Sequence, residues 1–181
     1  MGRGGAVSRH TLSVLVSNHS GVLARVAGLI SRRGFNIESL AVGTTEHPDV
    51  SRMTIVMDMA DERVAEQVVK QLNKLIEVYK IVELGDDAVN HEMLMVKVRC
   101  TDHNRPAIID LANLFRAHVV DVSPESVTVE VTGGQSKITA LTTMLTPYGI
   151  IELVQSGQVA LDRGSKSINE KKRPALAKHS S

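Results

Sequence analysis

A strand–helix–strand–strand–helix–strand pattern occurs twice along this chain, and it constrains the fold more than any other feature. The first copy begins with alternating apolar residues at 11–17. The pattern restarts at residues 93–98, about 80 positions later, which is the spacing of a tandem domain duplication. We therefore predict an α+β protein composed of two tandem ferredoxin-like βαββαβ domains.

Turn and capping residues set the elements of the first copy. Asn18 or Ser20 is the expected cap of the first helix, Gly34 is its C-terminal glycine, and Asp61 caps the second helix. The predicted strands of this copy are residues 11–17, 35–42, 51–59 and 78–84.

The second copy follows the same order after a polar break at residues 85–90. Pro106 opens its first helix, and the pair Gly133-Gly134 turns into a Ser-capped second helix. The glycine pair superficially resembles a phosphate cradle, but it lacks the glycine spacing of nucleotide-binding loops, which favours a simple turn. The predicted strands of this copy are residues 93–98, 118–122, 126–131 and 150–161.

These patterns predict the domain boundaries. We expect a first domain at residues 9–85, a second at 90–163 and a disordered tail at 164–181, because the tail is polar and Lys-rich. Each domain would cover its sheet with helices on one face only, so the other face and the sheet edges need a partner. We therefore expect a homodimer or a larger oligomer.

Charge and composition argue against several classes of partner. Lys and Arg number 21 and Asp and Glu 20, so the net charge of +1 gives no general attraction to nucleic acid or to anionic membranes. Aromatic residues make up 2% of the chain, which predicts an aliphatic core without a stacking platform for RNA bases. No apolar run is long enough to span a bilayer, and the N-terminus lacks an apolar signal, so a cytoplasmic protein is expected.

The residue types that carry catalysis or bind metal are scattered. The single cysteine, Cys100, ends a predicted strand without a base beside it, which favours a buried structural thiol over a nucleophile. No two of the seven histidines are spaced i, i+3 or i, i+4. We predict no catalytic residue and no metal ligand on this chain.

One segment combines the groups that a small ligand would need. Residues 18–23, Asn-His-Ser-Gly-Val-Leu, join the first strand to the start of a helix. Unpaired N–H groups at a helix N-terminus favour a carboxylate, Gly21 permits close approach to the backbone, and the Asn18 carbonyl can accept from an ammonium group. These groups would hold both ends of a free amino acid. A loop in which Asn18 merely caps the helix explains the spacing equally well.

Longer segments give the chain a specific resemblance. They run in unbroken order from about residue 11 to residue 164 and include LSVLV at 12–16, GVLARV at 21–26, SRRGFNIESL at 31–40 and VDVSP at 120–124. In these segments the chain resembles the small regulatory subunit of acetohydroxyacid synthase, also called acetolactate synthase. The resemblance ends at residue 164.

The resemblance implies an ACT domain in the first half, which pairs side by side with a second copy. Valine would bind at the interface, between the strand-to-helix loop of one chain and the second strand of the other. The effector-binding residues that the resemblance implies are Asn18, Gly21, Val22 and Leu23 on the loop side, and Asn36 and Ile37 on the facing side.

The resemblance also implies a non-catalytic subunit of branched-chain amino acid biosynthesis, whose partner is a catalytic large subunit. This chain would activate that partner and make it sensitive to feedback inhibition. Thiamine diphosphate, magnesium and FAD would be cofactors of the partner, and none is expected on this chain. Valine, leucine and isoleucine all remain candidate effectors, because the volume of the pocket depends on packing.

Two other classes of function are less consistent with the sequence. A freestanding amino-acid sensor or transcriptional regulator needs a DNA-binding segment, and neither terminus has a helix-turn-helix pattern. An enzyme needs a convergent catalytic set, which the scattered histidines and the single cysteine do not supply.

Overall fold

The computed structural model describes residues 8–59 and 62–169, which fall into two compact units. Each unit is built on a sheet with two helices, in the order strand, helix, strand, strand, helix, strand. The predicted α+β fold of two tandem βαββαβ domains is therefore confirmed. No helix among the described residues is long and apolar enough to cross a membrane.

Six elements form the first sheet and its helices: β1 (Ser8–Ser17), α1 (Val22–Arg32), β2 (Ile37–Thr44), β3 (Val50–Met59), α2 (Glu62–Leu72) and β4 (Val78–Leu84). The strand order is β2-β3-β1-β4, so β2 and β4 are the edges of the sheet. β1 pairs antiparallel with β3 and with β4. The predicted bounds of β4 are confirmed, and the predicted cap Asp61 lies outside the described residues.

The core of the first unit is aliphatic, as the low aromatic content predicts. Leu12, Val14 and Val16 alternate along β1 and are fully buried. The buried residues of α1 recur every four positions and so form one helix face: Val22, Val26 and Ile30. Burying each such side chain contributes roughly 1.5–3 kcal/mol, which fixes the helix against the sheet.

The two ends of α1 differ in how well the sequence predicts them. Gly34 follows the helix with φ +78°, its N–H donates to Ser31 O, and the N–H of Phe35 donates to Ile30 O. This is a Schellman motif, so the predicted role of Gly34 is confirmed, and it delays the start of β2 to Ile37. The predicted side-chain cap by Asn18 or Ser20 is wrong, because Gly21 occupies the cap position and no side chain caps the helix.

The second sheet and its helices repeat the arrangement: β5 (Val89–Arg99), α3 (Arg105–Leu114), β6 (His118–Val122), β7 (Ser126–Gly133), α4 (Gln135–Leu145), a 3₁₀ turn (Thr146–Tyr148), β8 (Ile150–Gln155) and β9 (Val159–Leu161). The strand order β6-β7-β5-β8 is the same order as in the first unit, and β9 also pairs with β5. Cys100 is 2% exposed and belongs to the core of this unit, so its predicted burial is confirmed.

The last predicted strand, at residues 150–161, is two strands. Ser156 interrupts it, because its N–H donates to Met93 O at 2.9 Å while its hydroxyl accepts from the N–H of Met93 at 2.9 Å. The same hydroxyl donates to Gly157 O. A side chain thus replaces a backbone partner on β5, and the ladder resumes only at β9.

The Gly133-Gly134 pair forms a turn, and its predicted serine cap is wrong. Gly134 is the cap residue of α4 with no side-chain cap bond, and the helix begins at Gln135, which leaves Ser136 inside it. A Cβ at Gly133 would lie 2.6 Å from the Lys137 side chain, whose Nζ donates to Thr132 O at 2.9 Å. A side chain at position 133 would have to displace the lysine stem.

The C-terminal segment that the structure describes is part of the first unit. Residues 160–169 cluster with that unit, and Ile168 is only 5% exposed. The predicted tail at 164–181 thus begins with six residues that the structure describes, and its remainder lies outside the described residues. The domain limits 9–85 and 90–163 stay predictions.

Candidate effector site

The loop between β1 and α1 is fastened to the turn between β2 and β3. The N–H of Asn18 donates to Asp49 O at 2.8 Å, and the Asn18 side-chain Nδ2 donates to Pro48 O at 2.8 Å. The Nδ2 donor is thus engaged, and Oδ1 is the acceptor atom of this side chain. The bond to Pro48 O fixes the orientation of the amide and hence of the acceptor predicted to bind an ammonium group.

Gly21 makes the sharp entry into α1. Its φ is +87°, a left-handed conformation that side chains with a Cβ rarely adopt, and its carbonyl accepts the first helical bond from the N–H of Arg25 at 3.0 Å. A Cβ there would meet no atom within 4 Å, so backbone conformation rather than crowding selects glycine. The first-turn N–H groups of a helix have no acceptor within it. No side chain of the described residues caps them.

Val22 and Leu23 differ in exposure although they are adjacent. Val22 is 2% exposed and packs in the core, whereas Leu23 is 44% exposed. Of the apolar wall expected from the sequence, only Leu23 presents a side chain at the surface. What Val22 offers at the loop is its backbone N–H, the first of the helix.

The two predicted halves of the site lie apart within one chain. Asn36 is exposed and Ile37 half-buried where edge strand β2 begins. The next residue, Glu38, pairs with Arg9 near the start of β1, Nε to Oε2 at 3.0 Å. The loop of residues 18–21, named the effector loop for its proposed role, follows the other end of β1, a ten-residue strand about 30 Å long. A ligand that touches both halves therefore needs a second chain.

Two side-chain contacts beside the loop were missed by sequence reasoning. Glu77 is 7% exposed and forms an ion pair with Arg25 in the first turns of α1, and its carbonyl accepts from the N–H of Ser17. The Ser17 hydroxyl also lies 2.6 Å from the hydroxyl of Tyr79. These partners are 52 and 62 positions apart in sequence, and no local pattern signals such pairs.

The residues that could bind metal do not converge. Across residues 8–59 and 62–169 there is no group of three or more His, Cys, Asp or Glu side chains placed to hold a metal ion. The loop itself presents backbone N–H groups and an amide oxygen, which suit an organic zwitterion better than a cation.

Comparison with known proteins assigns the family. Residues 12–80 match the model for the AHAS small subunit-like ACT domain, and residues 91–164 match the model for the small subunit of acetolactate synthase. The acetolactate synthase small subunit of Mycobacterium bovis is 57% identical over 164 residues, covering 90% of this chain and 97% of the relative. The chain belongs to the acetolactate synthase small-subunit family.

Other members of the acetolactate synthase small-subunit family agree in sequence and in structure. The probable acetolactate synthase small subunit of Archaeoglobus fulgidus is 52% identical, covering 87% of this chain and 99% of the relative. The crystal structure of the acetolactate synthase small subunit from Thermotoga maritima superposes with a TM-score of 0.82 at 38% identity, covering 88% of this chain and 99% of that one. The chain is thus a regulatory small subunit with an N-terminal ACT domain.

Proposed function

We propose that this small subunit binds a branched-chain amino acid, valine first among the candidates, between the ACT domains of two copies. It thereby activates a catalytic large subunit of acetolactate synthase and makes that subunit sensitive to feedback inhibition. The observation that carries the proposal is the start of α1, whose first-turn N–H groups have no side-chain cap and which follows the Asn18 amide that is hydrogen-bonded to Pro48 O. The helix N-terminus would hold the carboxylate, and Asn18 Oδ1 would accept from the ammonium group.

The equivalent loop of the second unit is built differently, which supports placing the effector in the first. Pro106 lies in the first turn of α3 and removes one N–H, since proline has none. The missing donor disfavours a carboxylate ligand at this helix start.

Pairing through β2 would complete the site. β2 is an edge of its sheet, and a two-fold axis would place the β2 strands of two chains antiparallel. The start of the partner's β2 would then lie beside the end of this chain's β2. That end continues into the turn that holds Asn18, because the N–H of Thr45 donates to Val50 O at 3.2 Å. Asn36 and Ile37 of one copy would thus face the loop of the other.

The chemistry of the holoenzyme would belong to the large subunit. We assign thiamine diphosphate, magnesium and FAD to that partner and a purely regulatory, non-catalytic role to this chain, in the cytoplasm. Valine binding at a two-chain interface gives the small subunit two arrangements. A coupling of about 1–3 kcal/mol between that interface and the catalytic subunit would be typical of allosteric proteins.

A charge substitution at Gly21 tests the site. Gly21→Asp and Gly21→Asn have nearly the same shape, and both side chains tolerate the left-handed conformation better than other residues do. The added carboxylate should repel that of valine, so Gly21→Asp should lose about 100-fold more affinity than Gly21→Asn in titration calorimetry. Both variants should still activate the large subunit in an acetolactate-formation assay. Full valine sensitivity in Gly21→Asp would move the site away from this loop.

A further inference from the structure

The described C-terminal segment, residues 162–169, runs back to the first unit and buries an apolar side chain there. Ile168 is 5% exposed although it belongs to no strand or helix. With Asn169 it lines a cavity of about 410 Å³ together with Leu15 of β1 and Val50 at the start of β3. A buried isoleucine is an anchor rather than part of a solvated tail.

Polar bonds fasten the same segment at both of its ends. The Arg163 Nε–H donates to Asp87 O at 2.8 Å, next to the end of β4. The Asn169 side-chain Nδ2 donates to Glu46 Oε1 at 3.1 Å, in the turn between β2 and β3. These bonds join positions 76 and 123 apart in sequence. The C-terminal segment therefore holds the turn as well as the sheet.

That turn is the support of the effector loop. It is closed by the Val50 N–H donating to His47 O and by the Thr45 hydroxyl donating to Val50 O, each at 3.0 Å. Its carbonyls at Pro48 and Asp49 are the acceptors that hold Asn18. A continuous path of packed and hydrogen-bonded residues thus runs from the C-terminal segment to Asn18.

We infer that residues 163–169 form a latch that positions the effector loop, with Ile168 as its anchor and Asn169 as its contact to the turn. The latch acts through the turn and touches no effector itself. Its expected effect on the affinity for valine rests on the proposed function, whereas its effect on the conformation of the loop does not. Releasing it should leave the loop able to bind, with a penalty for the extra conformations that binding must then remove.

The test compares Ile168→Ala with Leu161→Ala in the full-length chain. Leu161 is 57% exposed in β9, so its truncation controls for the loss of an apolar side chain in the same region. Hydrogen exchange of the Asn18 amide, which donates to Asp49 O, should accelerate about tenfold in Ile168→Ala and stay unchanged in Leu161→Ala. The affinity for valine should fall about tenfold in the first variant only.

A milder variant keeps the test decisive if Ile168→Ala unfolds. Asn169→Ala removes one exposed hydrogen bond to Glu46 and should accelerate exchange at Asn18 in the same direction. Unchanged protection of Asn18 in both variants would overturn the latch, whatever valine does. Faster exchange with unchanged valine affinity would overturn its role in effector binding. If the wild-type chain shows no valine heat, the proposed function fails, while exchange at Asn18 still decides the latch.

Discussion

Asn18 shows how a single residue changes its role between sequence and structure. Its position before α1 predicts a helix cap, yet its side chain donates to Pro48 O, 30 positions away in sequence. The helix then begins after Gly21, which has a left-handed φ and offers no side-chain cap. A satisfied cap would occupy the N–H groups that the proposed site offers to a carboxylate.

Glu46 reports directly on the turn that supports this loop. A hydrogen bond from its own backbone N–H lowers the pKa of the Glu46 carboxyl, and the Asn169 amide and the nearby His47 and Arg52 lower it further. A lowered pKa means that these contacts favour the folded state when the carboxyl is ionised. Their contribution is present above the ordinary pKa and is lost as the pH falls through the lowered value.

We therefore expect an NMR titration to give Glu46 a pKa below that of an unstructured glutamate. Asn169→Ala should raise this pKa part of the way back, because the backbone hydrogen bond, the largest cause, remains. Asn113→Ala, an exposed asparagine of the second unit, should leave it unchanged. An identical Glu46 titration in wild type and Asn169→Ala would contradict the contact between the C-terminal segment and the turn.

At the scale of elements, local signals were reliable where local chemistry decides. β4 and β6 have the predicted bounds, and Gly34 ends α1 as predicted, because alternation and a left-handed glycine are encoded nearby. Elements were mispredicted where a distant residue intervenes. The Ser156 hydroxyl accepts from the N–H of Met93, 63 positions earlier, and so divides the last predicted strand. The candidate loop was recognisable from the sequence, whereas its support by the turn was not.

Two glycines of the first unit distinguish a glycine that the backbone conformation requires from one that it does not. Gly34 has φ +78° and Gly43, within β2, does not have a positive φ; a Cβ would meet nothing within 4 Å at either. Gly34→Ala should therefore lower the free energy of unfolding by about 1–2 kcal/mol through left-handed strain. Gly43→Ala should be neutral or slightly stabilising. Urea unfolding followed by circular dichroism measures both, and equal effects would mean that Gly34 does not set the end of α1.

At the scale of the whole molecule, the two units share one strand order but not one loop chemistry. The orders β2-β3-β1-β4 and β6-β7-β5-β8 are equivalent, so both units have the same sheet topology. Only the first unit begins its first helix with a left-handed glycine and no proline. A duplicated scaffold thus presents one loop per chain that suits the proposed effector, and the separation of the two proposed halves along β1 would make that site a property of two chains.

Mixing two variants that are impaired in valine binding tests this central claim most directly. Gly21→Asp should disrupt the loop half of the proposed site. Asn36→Ala should weaken the facing half by the free energy of a charged hydrogen bond to valine, about 1.5–3 kcal/mol. In a heterodimer of the two, one site combines both lesions and the other combines the two intact halves. Neither homodimer should bind valine at wild-type affinity. After subunit exchange, titration calorimetry of an equal mixture should recover about a quarter of the wild-type sites at wild-type affinity. No recovery, with heterodimers confirmed by mass spectrometry, would contradict an effector site shared between two chains.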